Sequence, residues 1–573
     1  MSCNLGDAIE HIYNERKDFV IIGLTGRTGA GCTTVAKLLS STLDEFCPPK
    51  PKSGCLDSNE ERKYRVIYDY IIKNWDPFVL IEMKNIITSF VLEYNYDKFI
   101  EYLKNKHSTI LNLNDLISYL KIAVKAEFDR MHELRKSIKE KTEENEDYLK
   151  EDLVYKFYFE DLPNFTQKFK ESLGYFHSDC YTEVFQTIGN NIRASGEPYC
   201  DNFMPKNLFK LSQRTNTLIK VLRKRNKIEE KKGRVLVVID AFRNPYEALF
   251  FKDRYAAFYL VAVNTDNNYR INRLSKLGLN YQQIEQLDDK EYPDKKNGKN
   301  VKEVFAYQNI QKCIEISDIF LYNPDTKTND FISLKRDIFK YISLIVHPGL
   351  VTPTHIERTM QLAYNAKMNS GCISRQVGAA VTDSSFSIKA IGWNSSPECQ
   401  VPCNLKNLED LYLYENKSSY SDFELTNPKY RSIIANKYTK IKNIDLKGRN
   451  FSYCFKDLYN ELKDTKNQVY TQSLHAEENA FLQIVKHGGQ GIKDGYLFTT
   501  ASPCELCSKK AYQLGIKVIY YIDPYPGISL DHVLNNGTRR PELKLFTGVI
   551  GRAFTQLYNP IISYKDELKL LID

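Results

Sequence analysis

Short unbroken apolar runs alternate with longer mixed stretches along this chain. Phe19-Val-Ile-Ile-Gly-Leu-Thr25, Val235-Leu-Val-Val-Ile-Asp240, Phe258-Tyr-Leu-Val-Ala-Val263 and Ile316-Ser-Asp-Ile-Phe-Leu-Tyr-Asn323 are apolar with little alternation, which predicts strands covered on both faces, as in a parallel sheet between helices. Between the first and second of these runs lie helices rich in Lys, Glu, Tyr and Phe, read as a helical insertion over about 50–230. Within it, 125–146 carries opposite charges a turn apart and predicts an exposed helix with a solvated face. The polar stretch from Asp288 to Val301, broken by Pro and Gly, predicts a mobile loop.

A proline-marked junction, His347-Pro-Gly-Leu-Val-Thr-Pro-Thr-His355, precedes a helix from Glu357 to Met368, and the pattern then changes. Gly378-Ala-Ala-Val-Thr-Asp383 and Ala390-Ile-Gly-Trp-Asn394 predict a hairpin of strands. Ser473 is placed to cap a helix through His475 to Lys486. Gly495-Tyr-Leu-Phe-Thr-Thr500 predicts a buried strand, Ser502-Pro-Cys-Glu505 a capping box with Pro at the first helical position, Gly515 the stop of that helix, and Lys517-Val-Ile-Tyr-Tyr-Ile522 a further strand. The segment 404–470 is a polar and aromatic insertion long enough to wall a pocket or meet a partner.

Composition sets bounds on this picture. With 573 residues, 42% of them hydrophobic, the chain has ample core for more than one domain, and the boundary is expected at 345/346. No run is long and charge-free enough to cross a bilayer, and the first residues carry no basic segment followed by an apolar one, so a soluble protein is expected. Thirteen cysteines, an odd number, fit reduced thiols and a cytoplasmic setting better than a disulfide framework. The net charge of +8 is the remainder of 80 basic and 72 acidic residues; it is compatible with nucleotide or RNA binding and is evidence for neither.

Chemistry concentrates in two places. In the second half, His475-Ala-Glu477 is followed by Pro503-Cys504-Glu-Leu-Cys507. One His and two Cys can hold Zn²⁺ and leave its fourth position to water, while a Glu that is not a ligand moves protons; this order and spacing is that of zinc-dependent nucleobase deaminases. A Cys-x-x-Cys alone reads equally as a redox pair or half of a structural zinc site, and a lone His as a packing residue. Metal roles are therefore expected for His475, Cys504 and Cys507, and the catalytic role for Glu477. Cys399 and Cys403 are weaker candidates for a second zinc site.

The other place is the turn after the first strand. Gly26-Arg-Thr-Gly29-Ala-Gly31 leads into Cys32-Thr33-Thr34 and a helix, matching a P-loop at every position except 32, where Cys stands for Lys. Backbone N–H groups there can cradle phosphates and Thr33 can reach Mg²⁺. The cation that meets the terminal phosphates is missing, which favours nucleotide binding over phosphoryl transfer, with Arg27 as a partial substitute. Asp240 ends its strand as a Walker-B acid does. Gly26, Gly29, Gly31, Thr33, Thr34 and Asp240 are thus the expected nucleotide contacts, with Mg²⁺; the bland alternative is a glycine turn kept for packing.

The runs Gly371-Cys-Ile-Ser-Arg-Gln-Val-Gly378, Gly392-Trp-Asn394 and His475-Ala-Glu-x-Asn479-Ala480 resemble those of the deoxycytidylate deaminase family. The resemblance implies that Asn394, Arg375 and Asn479 line the substrate pocket. Ser395 departs from the Gly that many of these enzymes carry after that Asn. The first half resembles the nucleoside- and nucleotide-kinase-like P-loop group. Taken in this order, the two halves resemble the bacterial anti-phage deoxycytidine nucleotide deaminases.

An α/β architecture follows as the expectation. It comprises an N-terminal three-layer α/β/α P-loop domain over 1–345 and a C-terminal cytidine-deaminase-like α/β/α domain with a mixed sheet over 346–573. The resemblance further implies hydrolysis of free dCTP and dCMP to dUTP and dUMP, depletion of dCTP against phage, regulation by the N-terminal domain, a homo-oligomer and restraint by a small non-coding RNA. Two alternatives share the zinc signature. A polynucleotide deaminase needs an aromatic and basic channel, and no such concentrated stripe is seen; a housekeeping dCMP deaminase would be a much shorter chain.

Overall fold

The computed structural model describes residues 5–51, 58–144, 152–177, 179–228, 234–291, 301–324, 330–488, 491–522 and 529–572. Contacts divide the chain into two units, Met1–Thr352 together with Arg552–Asp573, and Pro353–Gly551. The last segment, expected with the second half, belongs to the first unit: the helix Tyr564–Ile572 packs on the helix Leu5–Asp18. Glu567 accepts from or shares a proton with His347 Nε2 at 2.8 Å, and His347 stacks on Tyr13 with ring centroids 4.3 Å apart.

The first unit is built on parallel strands β1 (Phe19–Thr25), β2 (Val79–Glu82), β3 (Val235–Asp240), β4 (Phe258–Asn264) and β5 (Ile319–Tyr322). Their order across the sheet is β2-β3-β1-β4-β5, each neighbour parallel to the next. The continuous apolar runs end up here because both faces are covered: β4 is buried throughout and β1 at every position but Phe19. β2 corrects the reading of the insertion as wholly helical. Its four residues run without a break into the helix Met83–Val91, so no turn marks the strand in the sequence.

The other described elements of the insertion are helices, and their Phe99, Phe128, Phe165 and Phe169 share one buried core with Ile21, Val237 and Leu260 of the sheet. The helix Lys125–Glu144 is not simply a solvated face: Phe128 and Met131 are fully buried on one side, and buried Arg135 pairs with Glu93 at 2.7 Å. Its charges mask a helical apolar stripe. Of the expected mobile loop, Asp288–Glu291 instead completes a helix, and 292–300 lies outside the described residues.

Between β1 and helix α1 (Cys32–Ser40) runs the glycine turn, and Gly31 caps α1 with φ 105°. A Cβ at Gly31 would lie 2.0 Å from Asn323 Nδ2, so both backbone sign and space demand glycine there. After β4 come helices α2 (Asn267–Lys276) and α3 (Tyr281–Glu291).

The second unit opens with helix α4 (His355–Ala366), capped by Thr354 and Glu357 in a reciprocal box. Strands β6 (Gly378–Thr382) and β7 (Ile388–Trp393) form the antiparallel hairpin expected. Helix α5 (Ala476–Lys486), strand β8 (Tyr496–Thr499), helix α6 (Glu505–Gln513), strand β9 (Val518–Tyr521) and strand β10 (Glu542–Leu545) follow. The sheet is mixed, with order β10-β9-β8-β6-β7; β8, β9 and β10 are parallel, and β6 is antiparallel to β8. Strand alternation turns Ala379, Val381, Leu497 and Ile519 to one face, where Ala476, Ala480 and Phe481 of α5 and Ala511 of α6 cover them. Four short helices of 404–470 gather round a separate apolar cluster that includes Leu411, Tyr430 and Ile434.

Candidate metal centre and deaminase site

Small residues set α5 tight against the sheet. A Cβ at Gly392 on β7 would lie 2.4 Å from both Ala476 O and Ala480 N, so the helix backbone rests directly on this glycine. That contact holds the start of α5 over the ends of the central strands. His475 is not inside the helix but caps it, with extended backbone at φ −75° and ψ 153°, and its N–H donates to Glu478 Oε2 at 3.4 Å. Ser473, expected as the cap, lies two residues outside. α6 shows the same shift: Cys504 is its cap and Glu505 its first residue, so Pro503 precedes the helix. Gly515, with φ 73°, terminates it as predicted.

Both helices therefore begin at the same place with a metal-type side chain in the cap. His475 Nδ1 lies 3.2 Å from Cys504 Sγ and 3.5 Å from Cys507 Sγ. All three donor atoms fall within 4.8 Å of one another, and they form the sole such group of three among the described residues. Zinc bonds of ordinary length at a tetrahedral angle separate nitrogen and sulfur by about 3.6 Å, so the donor set fits Zn²⁺ in both chemistry and spacing. Cys399 is exposed and Cys403 buried, and neither joins a three-donor group among the described residues.

Charge is already biased toward a cation. Hydrogen bonding from Cys507 draws the Cys504 thiol down to about 4, against burial and with help from His475. The His475 imidazole is raised, chiefly by its hydrogen bond with Cys504. The Cys507 thiol is raised, chiefly by its hydrogen bond with Cys504 and then by burial.

Glu477, the second residue of α5, is 4% exposed, and burial raises its carboxyl above the usual range. Its Oε1 accepts a hydrogen bond from Thr499 Oγ1 at 3.0 Å. Thr499 was not singled out in the sequence. The only signal was a pair of threonines, Thr499 and Thr500, at the end of an apolar strand; Thr500 Oγ1 accepts from Gly378 N–H at 3.0 Å.

Of the residues expected in the substrate pocket, Asn394 and Asn479 make hydrogen bonds to neighbouring backbone. Asn394 Oδ1 accepts from Val377 N–H at 2.7 Å, and its Nδ2 donates to Arg375 O at 2.7 Å, so this side chain ties down the loop before β6. Asn479 donates from Nδ2 to Trp393 O at 3.0 Å and to Ser395 Oγ at 3.3 Å, locking α5 to the end of β7. Arg375 is part-exposed on the loop that Asn394 holds.

Comparison with known proteins agrees with this centre. Residues 353–523 match the family model described as the cytidine and deoxycytidylate deaminase zinc-binding region. The second unit contains a deaminase domain. Among curated relatives, the deoxycytidylate deaminase of Enterobacteria phage T2 is 28% identical over 185 residues, 31% of this chain and 85% of the relative. That of Enterobacteria phage T4 is 28% identical over 181 residues, 31% of this chain and 83% of the relative. Among solved structures, the dCMP deaminase of cyanophage S-TIM5 in apo form is 22% identical and covers 34% of this chain and all of its own, with a TM-score of 0.19. The same enzyme in complex with dCMP and dUMP is 23% identical, covering 33% of this chain and 95% of its own, with a TM-score of 0.20. No helix among the described residues is long and apolar enough to cross a membrane.

The glycine turn of the first unit carries Thr33 and Asp240 side by side, Thr33 Oγ1 donating to Asp240 Oδ2 at 2.7 Å. Cys32, half-buried beside Asp240, has its thiol pushed up by desolvation and by that carboxylate and brings no positive charge. Arg27, the expected partial substitute for the missing Lys, is paired here with Asp288 at 2.8 Å and donates to Asn267 Oδ1 at 3.2 Å. Gly26, Gly29 and Thr34 lie on the same turn and the start of α1.

Proposed function

We propose that this chain hydrolyses the amino group of free deoxycytidine nucleotides, converting dCMP and dCTP to dUMP and dUTP with release of ammonia. One observation carries the reading: His475 Nδ1 faces both Cys504 Sγ and Cys507 Sγ, with buried Glu477 two residues on. The relatives named deoxycytidylate deaminase support a nucleotide as substrate.

His475, Cys504 and Cys507 would hold Zn²⁺. Bound by this set, the ion supplies the Lewis acidity that makes water nucleophilic near neutral pH. Glu477 is the proton carrier. It takes a proton from the attacking water as oxygen bonds to the ring carbon, and it delivers protons to the ring nitrogen and to the amine as the carbon–nitrogen bond breaks. Burial favours this work, because a carboxyl held above the usual carboxylate range accepts a proton more readily as a base and still releases one as an acid. Thr499 fixes one carboxylate oxygen and so the orientation of the group.

The same proposal gives the first unit a nucleotide, with Mg²⁺, at Gly26, Gly29, Gly31, Thr33, Thr34 and Asp240, acting as a regulator. The Thr33–Asp240 contact supports it, since these groups are of the kind that hold a nucleotide's metal ion. The antiviral role, homo-oligomeric assembly and restraint by a small RNA rest on the family resemblance, and the cytoplasmic setting on the cysteine usage.

Incubation of the purified protein with dCMP, dCTP, cytidine, single-stranded DNA and tRNA, with ammonia and product followed, tests the assignment. Product from the two free nucleotides is expected. Product from DNA or tRNA with none from a free nucleotide would overturn it.

A further inference from the structure

Glu291, the last residue of α3, is fully buried, and its carboxylate sits on the glycine turn. Thr28 N–H donates to Oε1 at 3.1 Å and to Oε2 at 3.2 Å, the Thr28 hydroxyl meets the same carboxylate, and Arg243 Nη1 pairs with Oε1 at 2.5 Å. One turn earlier on the same helix, Asp288 pairs with Arg27 at 2.8 Å and with Arg270. Arg270 is 1% exposed and also donates from Nε to Thr28 O at 2.8 Å. Three guanidinium groups and a backbone N–H thus converge on the turn, and both of their anions come from α3. The other anchors of the helix are its two buried apolar side chains, Ile284 and Leu287, and Gln283, whose Nε2 donates to Asp179 Oδ2 at 2.7 Å.

Resting on the nucleotide-binding reading of this turn, we infer that Arg27, Arg243 and Arg270 form a polyphosphate site that the chain fills with its own carboxylates, Asp288 and Glu291. A nucleoside triphosphate then binds by exchange for α3. Guanidinium forks satisfy phosphate oxygens as well as carboxylate oxygens, and a triphosphate offers more of them at higher charge. This also accounts for a P-loop-like turn without its Lys: the cations come from around the turn, and each is ion-paired while the site is closed, Arg27 and Arg270 sharing Asp288. Apparent affinity for the triphosphate is reduced by the small fraction of protein whose site is open.

The full-length protein is titrated calorimetrically with MgATP, MgdCTP and inorganic tripolyphosphate, for wild type, Glu291→Gln and Arg243→Ala. Glu291→Gln is expected to tighten binding of at least one triphosphate by about tenfold or more, as the open fraction rises. Arg243→Ala is expected to weaken it. Hydrogen exchange of wild-type residues 281–291, which needs no variant, is expected to accelerate when ligand saturates. Binding to wild type with neither tightening in Glu291→Gln nor faster exchange in 281–291 would overturn the exchange and leave the nucleotide reading standing. Absence of binding to every form, tripolyphosphate included, would overturn both. If Glu291→Gln does not fold, the wild-type exchange measurement decides. Tripolyphosphate bound as tightly as the nucleotides assigns recognition to the phosphates; nucleotide bound more tightly adds recognition of base and sugar.

Discussion

Thr499, at the end of a buried strand, donates its hydroxyl hydrogen to Glu477, at the start of a helix, across 3.0 Å. Both are almost wholly out of solvent, so neither group has water to replace the other. A hydrogen bond to a buried charged group is worth about 1.5–3 kcal/mol. Thr499→Val is expected to lower kcat about 10- to 150-fold by that measure, with zinc content and KM little changed, and Thr499→Ser to restore most of it. Loss of zinc in Thr499→Val, measured by elemental analysis, would mean that the hydroxyl supports the fold instead of orienting Glu477.

Glu477→Gln keeps the shape of the side chain and removes its proton chemistry. Turnover of dCMP should fall about 100- to 10,000-fold, the usual worth of a placed acid–base group, while bound zinc stays at the wild-type level. Full ammonia release from this variant would remove Glu477 from the mechanism.

Cys507→Ala takes away one of three donors. The variant should purify with little zinc and no measurable deamination, and the wild-type enzyme stripped with a chelator should regain activity on adding Zn²⁺. Equal zinc in Cys507→Ala and wild type would place the metal elsewhere.

Asn394 separates two roles cleanly. Its side chain closes two hydrogen bonds of 2.7 Å to the loop at 375–377, and deleting it removes the partner of two part-buried backbone groups, at about 0.5–1.5 kcal/mol each. Asn394→Ala should therefore lower the first thermal transition by several degrees. A raised KM at unchanged melting temperature would instead make Asn394 the substrate contact that the family resemblance implies.

In the first unit, His107 is 3% exposed, and burial lowers its pKa although Glu183 at 3.4 Å opposes this. The unfolded chain then takes up a proton, below about pH 6.5, that the folded chain refuses. This contribution to stability is level above that pH and lost as pH falls below it. Urea midpoints between pH 7.5 and 5.5 should show the slope, and His107→Gln should flatten it.

What the sequence made legible follows from burial. β1 and β3 match their predicted runs to the residue, because strands covered on both faces have nothing but apolar side chains to show. The metal donors were legible because their spacing is short and local. Both caps lie two residues beyond the expected Ser473 and Ser502: a ligand must sit where the backbone turns out of the helix, a place that capping preferences assign to Ser. Thr499 and Glu291 were invisible for a different reason. Each acts across a long stretch of chain, on Glu477 and on the glycine turn, and no local pattern marks a partner that only the fold brings near.

The return of Arg552–Asp573 to the first unit makes the deaminase unit a guest with two covalent tethers. During synthesis the ribosome must finish that guest before it releases the helix that closes its host around His347 and Glu567. A single cut at either junction leaves the two units on one piece or still clasped by that helix, so limited proteolysis should need both cuts to free the deaminase unit.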